Sequence, residues 1–376
     1  MSAPAVDAIV VGGGIVGASA AFFLRRRGLS VTLLERRLVG QEASGTNFGN
    51  IRRQGRPLSQ LPVAHRAYDI WRRLPELLGE SCEFLPVGHL RVAYDEAREA
   101  NFRQYAKDAG ETGLALEVLA GRALHERFPY LGPEVRVGSY SPADGHANPR
   151  LAAPAFGRAA RTAGVSVIEN ATVTAIEKDG EDFRVATAAG EHRAPLVLVS
   201  AGAWAGALCE ALGEPVPLEA NGPQMGVTEP VRYRLAPTLG VSTDVKAESI
   251  YLRQVERGNV VFGGGPWGPA DPVAGRSYVL PENTAAQLAQ LRRFVPALAR
   301  VNVIRAWSGI ESYLPDELPV MGPSTRWPGL YYAFGFSGAG FQTGPGVGDA
   351  MAELMATGSC ASPLEAFTMA RFQRAA

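Results

Sequence analysis

The chain has 376 residues, 46% of them hydrophobic, with 37 basic and 37 acidic side chains and a formal net charge of zero. That length is enough for two sizeable lobes, and the balanced charge argues against a nucleic acid or an anionic membrane surface as the main partner. Three scattered cysteines, Cys82, Cys209 and Cys360, form no CxxC pair and no metal-ligand spacing, which points to a reducing compartment and to no metal or iron–sulfur centre in this chain.

The N-terminal stretch "MSAPAVDAIVVGGGIVGASAAFFLRRRG" lacks a basic region before its apolar run, and glycines interrupt that run, so it does not read as a signal peptide. Nothing later offers eighteen or so consecutive apolar residues, and the expected location is cytoplasmic. Residues 7–11 read as a strand. Gly12, Gly14 and Gly17 then fit G-x-G-x-x-G around Ile15 and Val16, 18–27 has helical spacing, Gly28 stops the helix, and 31–34 forms a second strand. Glu35, followed by Arg36, places an acid near the spacing of a ribose-hydroxyl ligand. The glycines allow a tight turn and seat a pyrophosphate on the helix N-terminus. A lone glycine motif is weak, but here strand, helix, second strand and acid all fall in place. An acid rather than a base at that position favours an unphosphorylated ribose, as in FAD or NAD.

Residues 86–146 contain the strand-like "GHLRVAY", a helical "DEAREANFRQYAKDAG" and a stretch punctuated by proline and glycine. Farther on, "GVSVIENATVTAIEKDG" and "FRVATAAGEHRAPLVLVS" read as strands, the last ending in the glycine turn "SAGAW", which holds Gly202 and Trp204. Residues 221–305 alternate strands with a helix near 282–294. The chain then closes on "YYAFGFSGAGFQTGPGVGDAMAELM", a third strand–glycine–helix element that reads as joining the first sheet. The reading is an α/β protein with a discontinuous Rossmann-like cofactor domain (1–85, 147–220 and 306–376). A second, mostly antiparallel α+β substrate lobe comprises 86–146 and 221–305.

The segments "VVGGGIVGASAAFFLRRRG", "LLERR", "ASGTNFGNIRRQG", "HANPRLAAPAF", "SAGAW", "GIESYLPDELPVMGPS" and "GFSGAGFQTGPGVGDAMAEL" run in this order from one end of the chain to the other. In them the chain resembles the D-amino-acid oxidase family of FAD-dependent amine oxidoreductases. That family includes glycine oxidase, sarcosine oxidase and the β subunits of heteromeric amino-acid dehydrogenases. The last two motifs look most like the β-type subunits of D-hydroxyproline dehydrogenase and opine oxidase. The resemblance implies non-covalent FAD, held at its adenosine end by Gly12, Gly14, Gly17 and Glu35, with Val173 near the adenine. It places Ser44, Gly45 and Asn47 along the pyrophosphate and ribityl chain, and Gly49, Asn50 and Ile51 against the flavin. Gly338, Ala339, Gly340, Phe341 and Gln342 then run along the pyrimidine edge.

The family reaction moves a hydride from a neutral amine to flavin N5, so no protein nucleophile or base is nominated. Three departures from the family matter. Where glycine oxidases place an arginine that clamps the substrate carboxylate, this chain has Glu311, which can receive a substrate cation or else turn away to pair with an arginine. Where sarcosine oxidases carry a lysine, it has Gln342. Where the monomeric sarcosine oxidases carry the lysine that promotes reaction with oxygen, it has Val261, with no lysine anywhere near, which favours a dehydrogenase. A substrate carboxylate must then be anchored by Arg52 or Arg53, or by Tyr251 and Arg253, with Arg52 the best candidate. Of the five histidines, His65 and His146 lie near family motifs, and a structural role is the expectation for both.

The expected substrate is therefore a secondary-amine or cyclic amino acid of the proline, hydroxyproline or N-substituted type. An amine without a carboxylate, or a role as an electron-relay subunit, are the alternatives. The electron acceptor would be a quinone, a carrier protein or O2, and partner subunits would carry an iron–sulfur cluster or a second nucleotide site.

Overall fold

The computed structural model describes residues 6–232 and 234–373. Its first layer is a six-stranded sheet in the order Val320–Pro323, Leu330–Phe334, Leu196–Val199, Ala8–Val11, Val31–Leu34, Ser166–Ile168. All neighbours are parallel except the edge strand Val320–Pro323. The four residues of Ala8–Val11 are buried on both faces, as central parallel strands require. Ala8 and Val10 enter a core with the helices, whereas Ile9 and Val11 enter a second core with Ile176, Phe183 and Val185. The sheet is thus a middle layer. Helices Ile15–Arg26, Leu61–Arg72, Pro149–Thr162 and Gly340–Thr357 cover one face, and an antiparallel meander of Val173–Asp179, Asp182–Thr187 and Gly190–Ala194 covers the other.

Gly17 shows why the first helix can lie so close to its strand: a β-carbon there would collide with the carbonyl oxygen of Gly12 and with Ser200 Oγ.

The second layer is an eight-stranded sheet in the order Val303–Ser308, Gln224–Pro230, Asn259–Gly264, Ile250–Gln254, Thr238–Val241, His89–Ala93, Val137–Ser141, Glu117–Ala120. Only the contact between Thr238–Val241 and His89–Ala93 is parallel. Leu90, Val92, Leu252, Val260 and Phe262 pack on one face with Leu291 and Phe294 of the helix Pro281–Phe294. The alternation of side chains along a strand then sends His89, Arg91 and Tyr251 to the other face. Two short ladders join the layers, Asn50–Ile51 with Gly145–His146 and Glu219–Asn221 with Glu311–Tyr313. The boundary expected between 305 and 306 falls inside the strand Val303–Ser308, which belongs entirely to the eight-stranded sheet. The next strand, Glu311–Tyr313, pairs in a different sheet.

Candidate functional site

A cavity of about 820 Å³ lies between the layers and is lined by residues of both. At its adenosine end the helix Ile15–Arg26 starts at Gly14, and the N–H of Ile15 donates to Ser44 Oγ at 2.9 Å. Glu35 closes this end from the tip of its strand. Its Oε2 accepts the Gly13 N–H at 2.6 Å and its Oε1 accepts the Arg37 N–H at 2.7 Å. Burial raises the Glu35 pKa, and those two N–H groups oppose the rise. Each carboxylate oxygen keeps a lone pair for a ribose hydroxyl. Arg36 stacks on Trp204 at 3.7 Å from the ring centroid and pairs with Glu42 at 2.7 Å. Val173, Gly202, Ile15 and Val16 line the same end.

Along the middle stand Ser44, Asn47, Gly49 and Asn50. Asn47 Oδ1 accepts the Gly49 N–H at 2.7 Å, whereas the buried Asn50 Oδ1 has no hydrogen-bond partner among the described residues. Opposite runs the loop of Gly338, Ala339, Gly340 and Phe341. Gly338 has φ +80°, a conformation open to glycine, and the nearest atom to a β-carbon there is Glu311 Oε2 at 4.0 Å. The 18-residue helix Gly340–Thr357 begins on this wall with no side-chain cap, so its first N–H groups and the positive end of its dipole serve the cavity. These residues fit FAD. With FAD bound, they would offer an acid to the ribose, a glycine-started helix to the pyrophosphate, an orphaned amide oxygen to a ring N–H, and a second helix N-terminus to the pyrimidine edge.

The reactive end is built from side chains. Arg52, Arg56, His89 and Arg91 line one side. Arg52 Nη1 donates to the carbonyl of Gln54, Arg56 Nε donates to that of Arg52 at 2.9 Å, and Arg56 Nη2 reaches the carbonyl of Ala339 at 3.4 Å. Burial, with Arg52 as a like-charged neighbour, lowers Arg56 to about 9 and Arg91 to about 10. His89 is pushed well below the usual histidine value by burial and by Arg52 and Arg91, so its imidazole is neutral. Its Nδ1 lies 2.9 Å from Gln54 Nε2. On the other side Glu311 takes the Tyr313 hydroxyl at 2.9 Å. Tyr313 stacks on Trp267 with centroids 4.1 Å apart, and Lys246 Nζ stands over Trp267 at 3.1 Å. Burial raises the Glu311 pKa, against the Tyr313 hydrogen bond. Tyr251 completes the wall, edge-on to Phe48 at 4.6 Å.

The sequence-predicted residues divide. Arg52, Tyr251 and Glu311 line the cavity, and Glu311 pairs with no arginine among the described residues. Arg53, Arg253 and Gln342 do not line it. Arg53 is turned away by a buried ion pair, its Nε at 2.9 Å from Asp144 Oδ1, and it stacks on Tyr68 at 3.8 Å. Arg253 lies behind the cavity wall, donating through Nε to the Phe48 carbonyl at 2.6 Å, in a separate small hollow with Val261. Gln342 sits one helical step past the loop, is 1% exposed, and donates to the Ala64 carbonyl at 2.9 Å. Gly17, Gly45 and Ile51 also stand off the cavity. Gly17 and Gly45 allow close backbone approach, and Ile51 is core. Lys246, distant in sequence from every glycine motif, does reach the cavity wall. Missed were His89, Arg91, Arg56 and the Trp267–Tyr313 stack. Strand alternation in "GHLRVAY" groups His89 with Arg91 opposite Leu90 and Val92, but nothing local says which way that face looks.

Residues 7–354 match the family described as FAD dependent oxidoreductase, DAO. The chain belongs to this family and is an FAD-dependent oxidoreductase. It is 29% identical to 4-methylaminobutanoate oxidase (formaldehyde-forming) of Paenarthrobacter nicotinovorans, over 98% of this chain but only 46% of that protein's length. It is 28% identical to an opine oxidase subunit of Rhizobium meliloti, over 98% of both chains. Among solved structures it is similar to L-proline dehydrogenase from P. horikoshii, with a TM-score of 0.91 and 27% identity, covering 100% of this chain and 99% of that one. Among the described residues no helix is long and apolar enough to cross a membrane.

Proposed function

We propose that the protein oxidises the C–N bond of a secondary-amine amino acid, N-substituted or cyclic, to an imine. The observation that carries this reading is the arginine-lined end of the cavity beside the Gly338–Phe341 loop. Arg56 ties the two together through the Ala339 carbonyl, so a carboxylate seated there is adjacent to the wall that suits a flavin. The names of the similar proteins, a methylaminobutanoate oxidase, an opine oxidase subunit and a proline dehydrogenase, support the same substrate class.

When bound, FAD supplies a two-electron acceptor that takes the hydride from the carbon next to nitrogen. The chain does the rest. Arg52 offers its free guanidinium edge to the α-carboxylate, the geometry in which two parallel N–H groups meet two oxygens. Glu311, raised by burial, receives the proton that a substrate ammonium must lose before its lone pair can assist hydride departure. The proton rests on a Glu311 carboxyl oxygen, with the Tyr313 hydroxyl steadying the group. Tyr251, Phe48 and the Trp267–Tyr313 stack exclude water from the reacting C–N bond.

We further infer a dehydrogenase. Val261 does not line the cavity but packs behind Phe48 and Met225, which do, and Lys246, though on the wall, stands over Trp267. Electrons would then pass to a carrier, a quinone or a partner protein, an arrangement supported by the name of the opine oxidase relative, which is itself a subunit.

Anaerobic flavin bleaching tests the reading. Proline or an N-methyl amino acid should bleach the holoprotein at least 100-fold faster than pyrrolidine, and Arg52→Gln should remove most of that difference, consistent with the roughly 2–5 kcal/mol of a desolvated charge pair. Pyrrolidine bleaching as fast as the acids would overturn the carboxylate clamp and favour the simple-amine reading centred on Glu311.

A further inference from the structure

A column of side chains runs inward from solvent at the reactive end. Lys246 is exposed, Trp267 and Tyr313 are half-buried, and Glu311 closes the column inside the cavity. Lys246 Nζ stands 3.1 Å from the Trp267 centroid, and the Tyr313 ring lies 4.1 Å from it at an interplanar angle of 31°. An ammonium and a ring that close cannot share one face of an indole, so Trp267 is sandwiched between them. The Tyr313 hydroxyl donates to Glu311 Oε2 at 2.9 Å. That oxygen is also the nearest atom to a β-carbon on Gly338, at 4.0 Å, so the column ends at the loop that suits a flavin.

Trp267 differs from every other tryptophan of the chain. Trp71, Trp204, Trp307 and Trp327 each anchor the indole N–H on a backbone carbonyl, those of Gln342, Pro272, Thr46 and Leu212, at 2.7–2.9 Å. The Trp267 N–H bonds to none of the described residues, and its two faces hold it instead. Tyr313 depends on that contact. Its strand, Glu311–Tyr313, has three residues in a two-stranded ladder, which fixes the backbone but not the ring rotamer. Among the described residues Trp267 is the one aromatic ring beside it.

Few titratable groups surround Glu311. Tyr251 faces it from the strand Ile250–Gln254. Glu219, exposed, is the register partner of Tyr313, and Glu317 acts on Tyr313 from the following turn. Lys246 lies beyond Trp267, the Gly338–Phe341 loop presents no titratable side chain, and Arg52, Arg56 and Arg91 stand on the opposite wall. Burial raises the Glu311 pKa, and the hydrogen bond from Tyr313 is what opposes the rise.

We propose that Trp267 is a positioning residue: stacked between Lys246 and Tyr313, it fixes the Tyr313 hydroxyl on Glu311 and so keeps that carboxylate in place to receive the substrate proton. This rests on the reading of Glu311 as proton acceptor in C–N oxidation. The ammonium N–H bond breaks and a Glu311 O–H bond forms, as above; Trp267 itself exchanges neither proton nor electron.

The test titrates Glu311 directly. The infrared carboxyl band of the holoprotein is followed against pH, with Glu311→Gln as the subtracted reference, and anaerobic flavin reduction by proline or an N-methyl amino acid is timed over the same range. Tyr313→Phe should move the Glu311 titration upward by about half a pH unit or more, because a hydrogen bond to the charged form is lost, and should slow reduction about tenfold. Trp267→Leu should reproduce both changes, and Trp267→Phe, which keeps a stacking ring, should restore most of each. Adding Trp267→Leu to Tyr313→Phe should slow reduction by no more than about twofold further, since both act on one hydrogen bond. Flavin content shows that each variant is folded. A Glu311 titration unmoved in Trp267→Leu, or rate losses that multiply in the double variant, overturn the proposal and leave Trp267 as a filler of the wall. If Glu311→Gln reduces its flavin at the parent rate, the Glu311 reading fails and this one with it. If Glu311→Gln is slow while Trp267→Leu matches the parent, the Glu311 reading stands alone. Should neither substrate bleach the parent, the substrate reading fails, and the infrared titration alone decides whether Trp267 holds the carboxylate.

Discussion

The two ends of the cavity are built on different principles. The adenosine end is mostly backbone: a glycine turn, a helix start, and one acid whose two oxygens are already oriented by the Gly13 and Arg37 N–H groups. The reactive end is side chains delivered by separate segments of the chain, among them Arg52–Arg56, His89–Arg91, Lys246–Tyr251, Trp267 and Glu311–Tyr313. A backbone-built site depends on local conformation and tolerates little change in shape. A side-chain-built site depends on partners far away in the chain, which decide the side of the wall on which each group falls.

The largest expected effect breaks the reactive end from outside it. Asp144 lines no part of the cavity, yet it holds Arg53 by Nε at 2.9 Å and accepts the Arg53 and Gln54 N–H groups at 2.9 and 3.3 Å. The pair is 9% and 0% exposed. Asp144→Ala should cost about 3–5 kcal/mol, the usual consequence of stranding a buried charge. It should also weaken carboxylate binding while FAD content per folded protein is retained. Denaturant midpoints and flavin absorbance check this, and a loss below about 1 kcal/mol would mean that Arg53 finds another anchor.

The complementary break is at the adenosine end. Gly17→Ala places a methyl against the Gly12 carbonyl and Ser200 Oγ. Overpacking of this kind costs about 1–3 kcal/mol, and the shift of helix against strand should show chiefly as lost flavin. The ratio of flavin to protein absorbance after purification reads it directly. Full flavin content in this variant would contradict the close helix–strand approach.

The same contrast explains what was legible in the sequence. Gly12, Gly14, Glu35 and the Gly338–Phe341 loop announce themselves because their meaning is local: a turn between strand and helix needs those residues at those spacings. "IRRQGR" announced basic residues near the flavin but not their directions. Arg52 faces the cavity and Arg53 does not because Asp144, 91 residues later, captures the second of them. Gln342 falls on the buried side of its helix, against Ala64. Arg91 was hidden in an ordinary alternating strand, since alternation pairs it with His89 without saying that their face meets a cavity. Lys246 and Trp267 reach the wall from the connections on either side of the strand pair that carries Tyr251, an arrangement no spacing rule contains.

The smallest predicted effect concerns the seam between the two ends, where Asn50–Ile51 pairs with Gly145–His146. His146 is 3% exposed, and its Nδ1 lies 3.5 Å from Arg253 Nη1. Burial, reinforced by the Arg253 charge, lowers its pKa to about 3. The sign follows from linkage: the unfolded chain takes the proton near pH 6.5 and the folded chain does not, so stability is complete above 6.5 and falls as pH drops toward 3. One group of this kind removes about 1.4 kcal/mol between pH 7.5 and 5.5. His89, lowered for similar reasons, adds its own share, so the informative quantity is a difference. His146→Gln should lose about 1.4 kcal/mol less than the parent over that interval, measured by denaturant unfolding of the holoprotein at both pH values. Equal losses would show that protonated His146 is accommodated in the fold. The seam would then be as adaptable as the side-chain end rather than as fixed as the backbone end.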